Sequence, residues 1–137
     1  MSEKASTATI VSVEGRRLSI RLLEHPSGPD GDAWSYETTI ETESARAAAI
    51  VHEWGRGLTQ YWQDIARDWK GWDGDRKYGS LEGQLDIVCS IDDLGQVSCI
   101  VSLGQPWPPT WRLEAEMTFG GGSQIEQFCR DLEGALR

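Results

Sequence analysis

Few residues in this sequence are equipped for catalysis. The imidazoles are His25, beside Pro26 in a Gly/Pro-rich stretch, and His52. Nucleophilic catalysis needs a serine or cysteine held against a base that a carboxylate orients. No motif such as G-x-S-x-G surrounds either histidine, so both read as solvated or structural. Cys89, Cys99 and Cys129 lack C-x-x-C spacing, and no H-E-x-x-H occurs. Their odd number and their place in apolar periodic segments read as reduced core thiols rather than a disulfide framework. Trp72-Asp73-Gly74-Asp75 resembles the opening of a calcium loop but lacks the later Glu ligand, and reads as a turn that seats Trp72. Gly120-Gly121-Gly122 stands where backbone amides could hold an anion, yet no P-loop Lys follows, and a strand exit explains it. The expectation is no catalytic residue, no metal and no cofactor.

Charge is the stronger signal. Against 22 acidic residues stand 13 Lys and Arg, a formal net charge of −9. Phosphate backbones and anionic membranes bind through clustered cations. Here the basic residues are scattered, with Arg16-Arg17 and Arg76-Lys77 the adjacent pairs. Nucleic acid and membrane are therefore set aside as partners. No apolar run follows a basic patch at Met1–Thr7, and no stretch approaches the ~20 apolar residues that span a bilayer. A cytoplasmic protein is expected.

The elements that must position these groups follow from periodicity. Thr7–Val13 and Arg16–Leu23 alternate apolar and polar residues around Glu14-Gly15, a hairpin. A Gly/Pro/Asp loop covers His25–Asp32, and Ala33–Thr42 is a third strand facing inward through Trp34, Tyr36, Thr38 and Ile40. The alanines of Ser44–Glu53 predict a short helix. Leu58, Tyr61, Trp62, Ile65, Ala66 and Trp69 recur at helical spacing, predicting an amphipathic helix that ends at Gly71 with Trp62 and Trp69 in the core. Three more strands are expected. One carries Leu81, Gly83, Leu85, Ile87 and Cys89 inward, and the next Val97, Cys99, Val101 and Leu103. After a bend at Trp107-Pro108-Pro109-Thr110, the last carries Trp111, Leu113, Ala115, Met117 and Phe119. A three-residue loop at Asp93-Leu94-Gly95 would set Cys89 opposite Cys99. Ser123-Gln124-Ile125-Glu126 reads as a capping box opening a final helix that buries Ile125, Phe128, Cys129, Leu132 and Leu136.

The expected fold is α+β: one domain over residues 1–137, with residues 1–6 as a tail. It would hold a single antiparallel sheet of about six strands, with two main helices on one face in the order β-β-β-α-β-β-β-α. On that sheet Glu82, Asp86, Glu114 and Glu116 would form an acidic strip on the open face, with Asp92 and Asp93 at a hairpin tip. Such a strip suits a basic protein partner; plain solvation is the simpler account. Trp72, Trp107 and Trp111 are the aromatics for a contact or for a pocket between helices and sheet.

Gly71-Trp72-Asp73-Gly74, Ser80-Leu81-Glu82-Gly83 and Asp92-Asp93-Leu94-Gly95-Gln96-Val97 together resemble an actinobacterial family catalogued as a domain of unknown function. Its members carry G-W-x-G, S-L-E-G and a D-x-x-G-H-V-like turn. Gln96 stands where that family has His, and Tyr78 where it usually has Trp. More remotely, the order of elements is similar to immunity proteins of the WapI type, which bind and neutralise a toxin from a neighbouring gene. The acidic surface, the absent catalytic set and this layout together lead to the expectation of a non-enzymatic protein-binding domain, immunity-like or antitoxin-like, directed at a basic partner. The alternative is a small-molecule-binding or metabolic accessory role. A homodimer through the open sheet face is a third possibility.

Overall fold

Alternation along the first forty residues does what its period requires. In the computed structural model, which describes residues 7–24, 33–120 and 122–135, β1 (Thr7–Val11), β2 (Arg17–Glu24) and β3 (Ala33–Glu41) pair antiparallel. Ile10 lies opposite Leu18, and Leu18 opposite Ile40. One row, including Ile10, Leu18, Ile20, Tyr36 and Ile40, is fully buried, while the other keeps Arg, Glu, Ser and Thr side chains toward water.

Ser44–Glu53 corrects the expected helix. Arg46–Trp54 is a strand, β4, paired along its length with β3. Val51 is buried and Ala47, Ala49 and Glu53 half-buried, alternating with exposed Arg46, Ala48, Ile50, His52 and Trp54. Helix propensities differ by tenths of a kcal/mol per residue, so the ladder offered by the edge of β3 outweighs the alanines. The first sheet has the order β1-β2-β3-β4.

Helix α1 (Gly57–Arg67) then leads the chain away, burying Leu58, Tyr61, Trp62 and Ile65. It stops short of the expected Gly71, since Asp68 donates its N–H to Asp64 and Gly71 donates to Asp68 in a closing turn. Trp69 lies past this end and is 52% exposed, so its expected place in the core is wrong.

A second sheet follows, ordered β5-β6-β7-β8: β5 (Arg76–Gly79), β6 (Leu85–Ile91), β7 (Gln96–Pro106) and β8 (Pro109–Gly120). The expected single sheet of about six strands is thus replaced by two antiparallel sheets of four strands each plus two helices, still an α+β fold. The reason is coverage. Seven of the eight strands offer an apolar row, and helices of 11 and 14 residues cannot shield so many, whereas two sheets sharing one core shield much of each other's. Leu81 and Glu82, expected in a strand, occupy the turn in which Gly83 donates its N–H to Ser80.

The β6–β7 hairpin has the expected register, with Cys89 opposite Cys99. Its loop closes with the Asp92 N–H on the Gln96 carbonyl and Gly95 at φ 82°, a backbone region that favours glycine. Cys89 and Cys99 are joined by a disulfide, their Cα atoms 4.1 Å apart, which corrects the reading of reduced thiols at these positions. The register that sets them face to face on a buried row also brings the sulfurs together. Cys129 is free and buried, its thiol pushed up to about 12 by desolvation.

Helix α2 (Gly122–Ala135) buries Ile125, Phe128, Cys129, Leu132 and Ala135. The expected contact of Leu136, the 1–6 tail, and the loop with His25 lie outside the described residues. Trp62 meets the rings of Phe128, Tyr61 and Phe119 edge-on, with centroids 5.3, 5.6 and 6.4 Å away. Around it the buried side chains of both sheets and both helices form one cluster. Two polar clasps join the sheets. At one, Val13 donates its N–H to the Thr118 carbonyl and the Thr118 N–H reaches Glu14; Arg16 reaches Glu43 and the Glu116 carbonyl. At the other, the hydroxyls of Tyr36 and Tyr78 lie 3.1 Å apart.

Candidate functional site

The six acidic residues picked from the sequence do not form one strip. Asp86, Glu114 and Glu116 do share the outer face of the second sheet, because Asp86 and Glu114 both lie opposite Ser102 and Glu116 lies opposite Ile100. Asp86, however, is held by Arg112, whose Nη2 donates at 2.5 Å while its Nε donates to Ser102 Oγ at 2.6 Å. Arg112 lies over Gly104, where an added Cβ would stand 2.7 Å from the Trp111 carbonyl, so the strands approach closely only because no side chain is there. Glu114 and Glu116 remain exposed. Glu82 sits on its turn near Pro106, at the far end of β7 from Asp92 and Asp93. Ten residue steps of β7 separate the two ends, about 33 Å. Asp92 is a turn former, its carboxylate accepting the N–H groups of Leu94 and Gln96 at 2.9 Å each.

The three tryptophans are likewise dispersed. Trp72 is half-buried under the Arg76 guanidinium, 4.8 Å from its ring centroid, and lines a 350 Å³ notch with Asp73, Ile91, Asp92 and Asp93. Trp111, 41% exposed, continues the inward row of β8 past the end of the core and lines another notch with Ile50 and Gln105. Trp107, 83% exposed, stands on the β7–β8 bend before the cis Trp107–Pro108 bond.

What the structure brings together at the Asp92–Asp93 end was missed in the sequence. Trp69 and Leu94, the latter 94% exposed, line a notch of 370 Å³ with Lys70, Asp93, Gly95 and Gly122. This notch shares Lys70 and Asp93 with the one under Trp72. Lys70 Nζ lies 5.6 Å from the Trp69 ring centroid, so the cation belongs to the indole. Asp73 and Asp93 have no ion-pair partner among the described residues. The available signal was Leu94 itself, an apolar side chain at the centre of an Asp-Asp-Leu-Gly turn, where nothing in the turn can cover it.

Two further constellations bear on chemistry. Ser35 Oγ and His52 Nδ1 lie 3.0 Å apart, cross-strand partners on the outer face of β3 and β4. They are a hydroxyl and an imidazole in contact, but in the open, without the water exclusion that strengthens a catalytic dyad. Deeper, Glu53 Oε1 accepts hydrogen bonds from the Tyr78 hydroxyl and the Leu58 N–H, both at 2.8 Å. Burial raises the Glu53 carboxyl above its usual range despite those bonds, and burial raises the phenols of Tyr36 and Tyr78. The carboxylate substitutes for the missing side-chain cap at Arg56 and ties α1 to both sheets. Among the described residues no three His, Cys, Asp or Glu gather as a metal site, and no helix is long and apolar enough to cross a membrane.

No curated protein and no solved structure matches the chain. A family model does match, over residues 11–137, and with it nearly all of both sheets and both helices. The chain belongs to that family of unknown function, DUF6228.

Proposed function

We propose that this is a non-enzymatic binding protein that docks a basic partner protein through the end carrying Trp69, Leu94, Asp73 and Asp93. The observation that carries this reading is the pairing of two exposed large apolar side chains around one notch, with unpaired carboxylates beside them. An aromatic and an aliphatic anchor give an interface its energy when a partner covers them. Carboxylates around them, on a chain of net charge −9, favour a basic partner and speed its approach. An inhibitor of the immunity or antitoxin kind, acting by occupancy alone, is the finer form of this reading and asks for no catalytic group.

The test is capture of partners on the immobilised protein, followed by affinity measurements on the purified partner. A Trp69→Ala/Leu94→Ser double variant is expected to weaken binding by about a hundredfold or more, the loss of two anchors of at least ~1.4 kcal/mol each. Asp73→Lys/Asp93→Lys should slow association and flatten its dependence on salt while leaving dissociation nearly unchanged. A partner bound equally well by both variants would place the interface elsewhere, and an acidic partner would refute the electrostatic half of the proposal.

A further inference from the structure

The outer face of the first sheet carries a second site, independent of the end just described. Its middle is a concavity of 290 Å³ lined by Thr9, Arg17, Ser19, Thr39, Glu41 and Arg46, with Arg21 and Glu37 continuing it. In a chain with 22 acids and 13 bases, most cations have found a carboxylate or a ring. Arg21 holds Glu37 at 3.3 Å, and Arg46 lies 3.7 Å from Glu41. Arg17 has no such partner among the described residues, although it lies directly opposite Glu41. Its guanidinium stands on an open face beside the Thr9–Ser19 hydroxyl pair, 3.0 Å apart.

Glu37 also lines the 350 Å³ notch of Ile50, Gln105 and Trp111, and the register sets Glu37 opposite Ile50 and Thr39 opposite Ala48. Two adjoining concavities therefore meet at Glu37, one reaching to Arg17 and Arg46 and the other to the Trp111 ring. From Arg46 to Ile50 is four residue steps along β4, about 13 Å.

The chemistry selects the occupant by charge. An anion placed against Arg17 meets Glu41 directly opposite it, and a cation at that end meets the guanidinium groups of Arg17 and Arg46. An uncharged molecule rich in hydroxyls satisfies both kinds of planar group at once, donating to the carboxylates and accepting from the guanidinium forks. The same molecule needs an apolar face for Trp111 and Ile50, and the C–H face of a pyranose supplies one. We infer that these two concavities bind a neutral oligosaccharide of two or three sugar rings. The rings lie along the hydroxyl and guanidinium rows, and one stacks on Trp111.

The experiment is a titration of the ¹⁵N-labelled protein, followed by NMR, with maltotriose, cellotriose and N,N′,N″-triacetylchitotriose, and with inorganic phosphate and citrate as anion controls. At least one sugar is expected to shift amides of β2, β3 and β4 saturably, and Arg17→Ala and Trp111→Ala should each weaken it by about tenfold or more. Both side chains are exposed, so the variants should keep the wild-type spectrum elsewhere. Leu94→Ser, at the other end, should leave sugar binding unchanged, which separates this inference from the partner site. Absence of shifts with all three sugars overturns it, and so do shifts confined to other elements. Binding of phosphate or citrate alone would make this an anion site and refute the neutral ligand.

Discussion

Replace Glu53 by alanine and three parts of the molecule lose a common acceptor. The Leu58 N–H at the start of α1 loses its cap, the Tyr78 hydroxyl loses its partner, and the Tyr36 hydroxyl behind it is left with Tyr78 alone. A lost helix cap costs about 1 kcal/mol, and a hydrogen bond to a charged acceptor about 1.5–3 kcal/mol. Relief of the desolvation that raises the Glu53 carboxyl offsets part of this. The net expectation is a loss of about 2–3 kcal/mol, read in urea unfolding as a midpoint lower by roughly 1–2 M at unchanged slope. Glu53→Gln keeps an acceptor oxygen without the charge and should cost about 1 kcal/mol or less at neutral pH. The pH dependence has a definite sign. A carboxyl raised in the folded state contributes stability that is present below the ordinary unfolded value and is lost as pH rises through the raised folded value. Wild type should therefore gain on Glu53→Gln as pH falls through that window, since every other carboxylate titrates alike in both proteins. A Glu53→Ala protein within about 0.5 kcal/mol of wild type, or a difference from Glu53→Gln that stays flat with pH, would refute the reasoning.

The two tryptophans expected in the core should behave oppositely. Trp62→Ala removes a fully buried ring and should cost about 3–5 kcal/mol, whereas half-exposed Trp69→Ala should stay within about 1 kcal/mol in the same unfolding assay. For the hairpin disulfide, intact mass before and after reduction should differ by two hydrogen atoms, with Cys129 resisting alkylation until unfolding. Replacing both Cys89 and Cys99 by serine should lower stability by about 2–3 kcal/mol, given their separation of 10 residues. Arg16→Ala opens the clasp to Glu43 and Glu116; NMR titration should then find the Glu43 carboxyl, held down at about 2 by its hydrogen bond to Arg16, back near its ordinary value. The stability this pair contributes is present above the unfolded carboxyl value and is lost as pH falls through the folded one, so the wild-type advantage should shrink in acid.

Period-two alternation identified six of the eight strands in part or whole, and failed at β4, where composition spoke louder. In Ser44–Glu53 the alanines carried a helical propensity, and the inward parity of Ala47, Ala49, Val51 and Glu53 was the signal that a strand edge would override it. Strand β5 offers four residues and one half-buried aromatic, Tyr78, too little pattern to detect. Once β4 and β5 are missed, the count falls from eight strands to six, and six strands can be drawn as one sheet with helices on a face. The error in architecture therefore follows from two local errors. The candidate site suffered differently. Which carboxylates stay free depends on tertiary partners such as Arg112 for Asp86 and Arg16 for Glu43, and no spacing in the chain announces those pairs.

That partitioning of charge also decides where an interface can form. Several acids are consumed by the fold: Glu14 and Glu43 in the clasp at β8, Asp68 between Arg67 and Arg76, Asp86 under Arg112, and Asp92 within its own turn. Removing any of these would disturb structure before recognition. Glu114 and Glu116 are free but share their sheet face with Ile100, which is only half exposed, and with serines and Arg112. They can steer a basic partner but offer it little to bury. Asp93 is free and borders Trp69 and Leu94, with free Asp73 in the adjoining notch, so that end alone among these acids combines long-range attraction with apolar area to remove from water. Attraction without burial gives encounter, and burial gives residence. A partner that meets this surface anywhere on its acidic flank would lose its largest gain by stopping short of the β6–β7 tip.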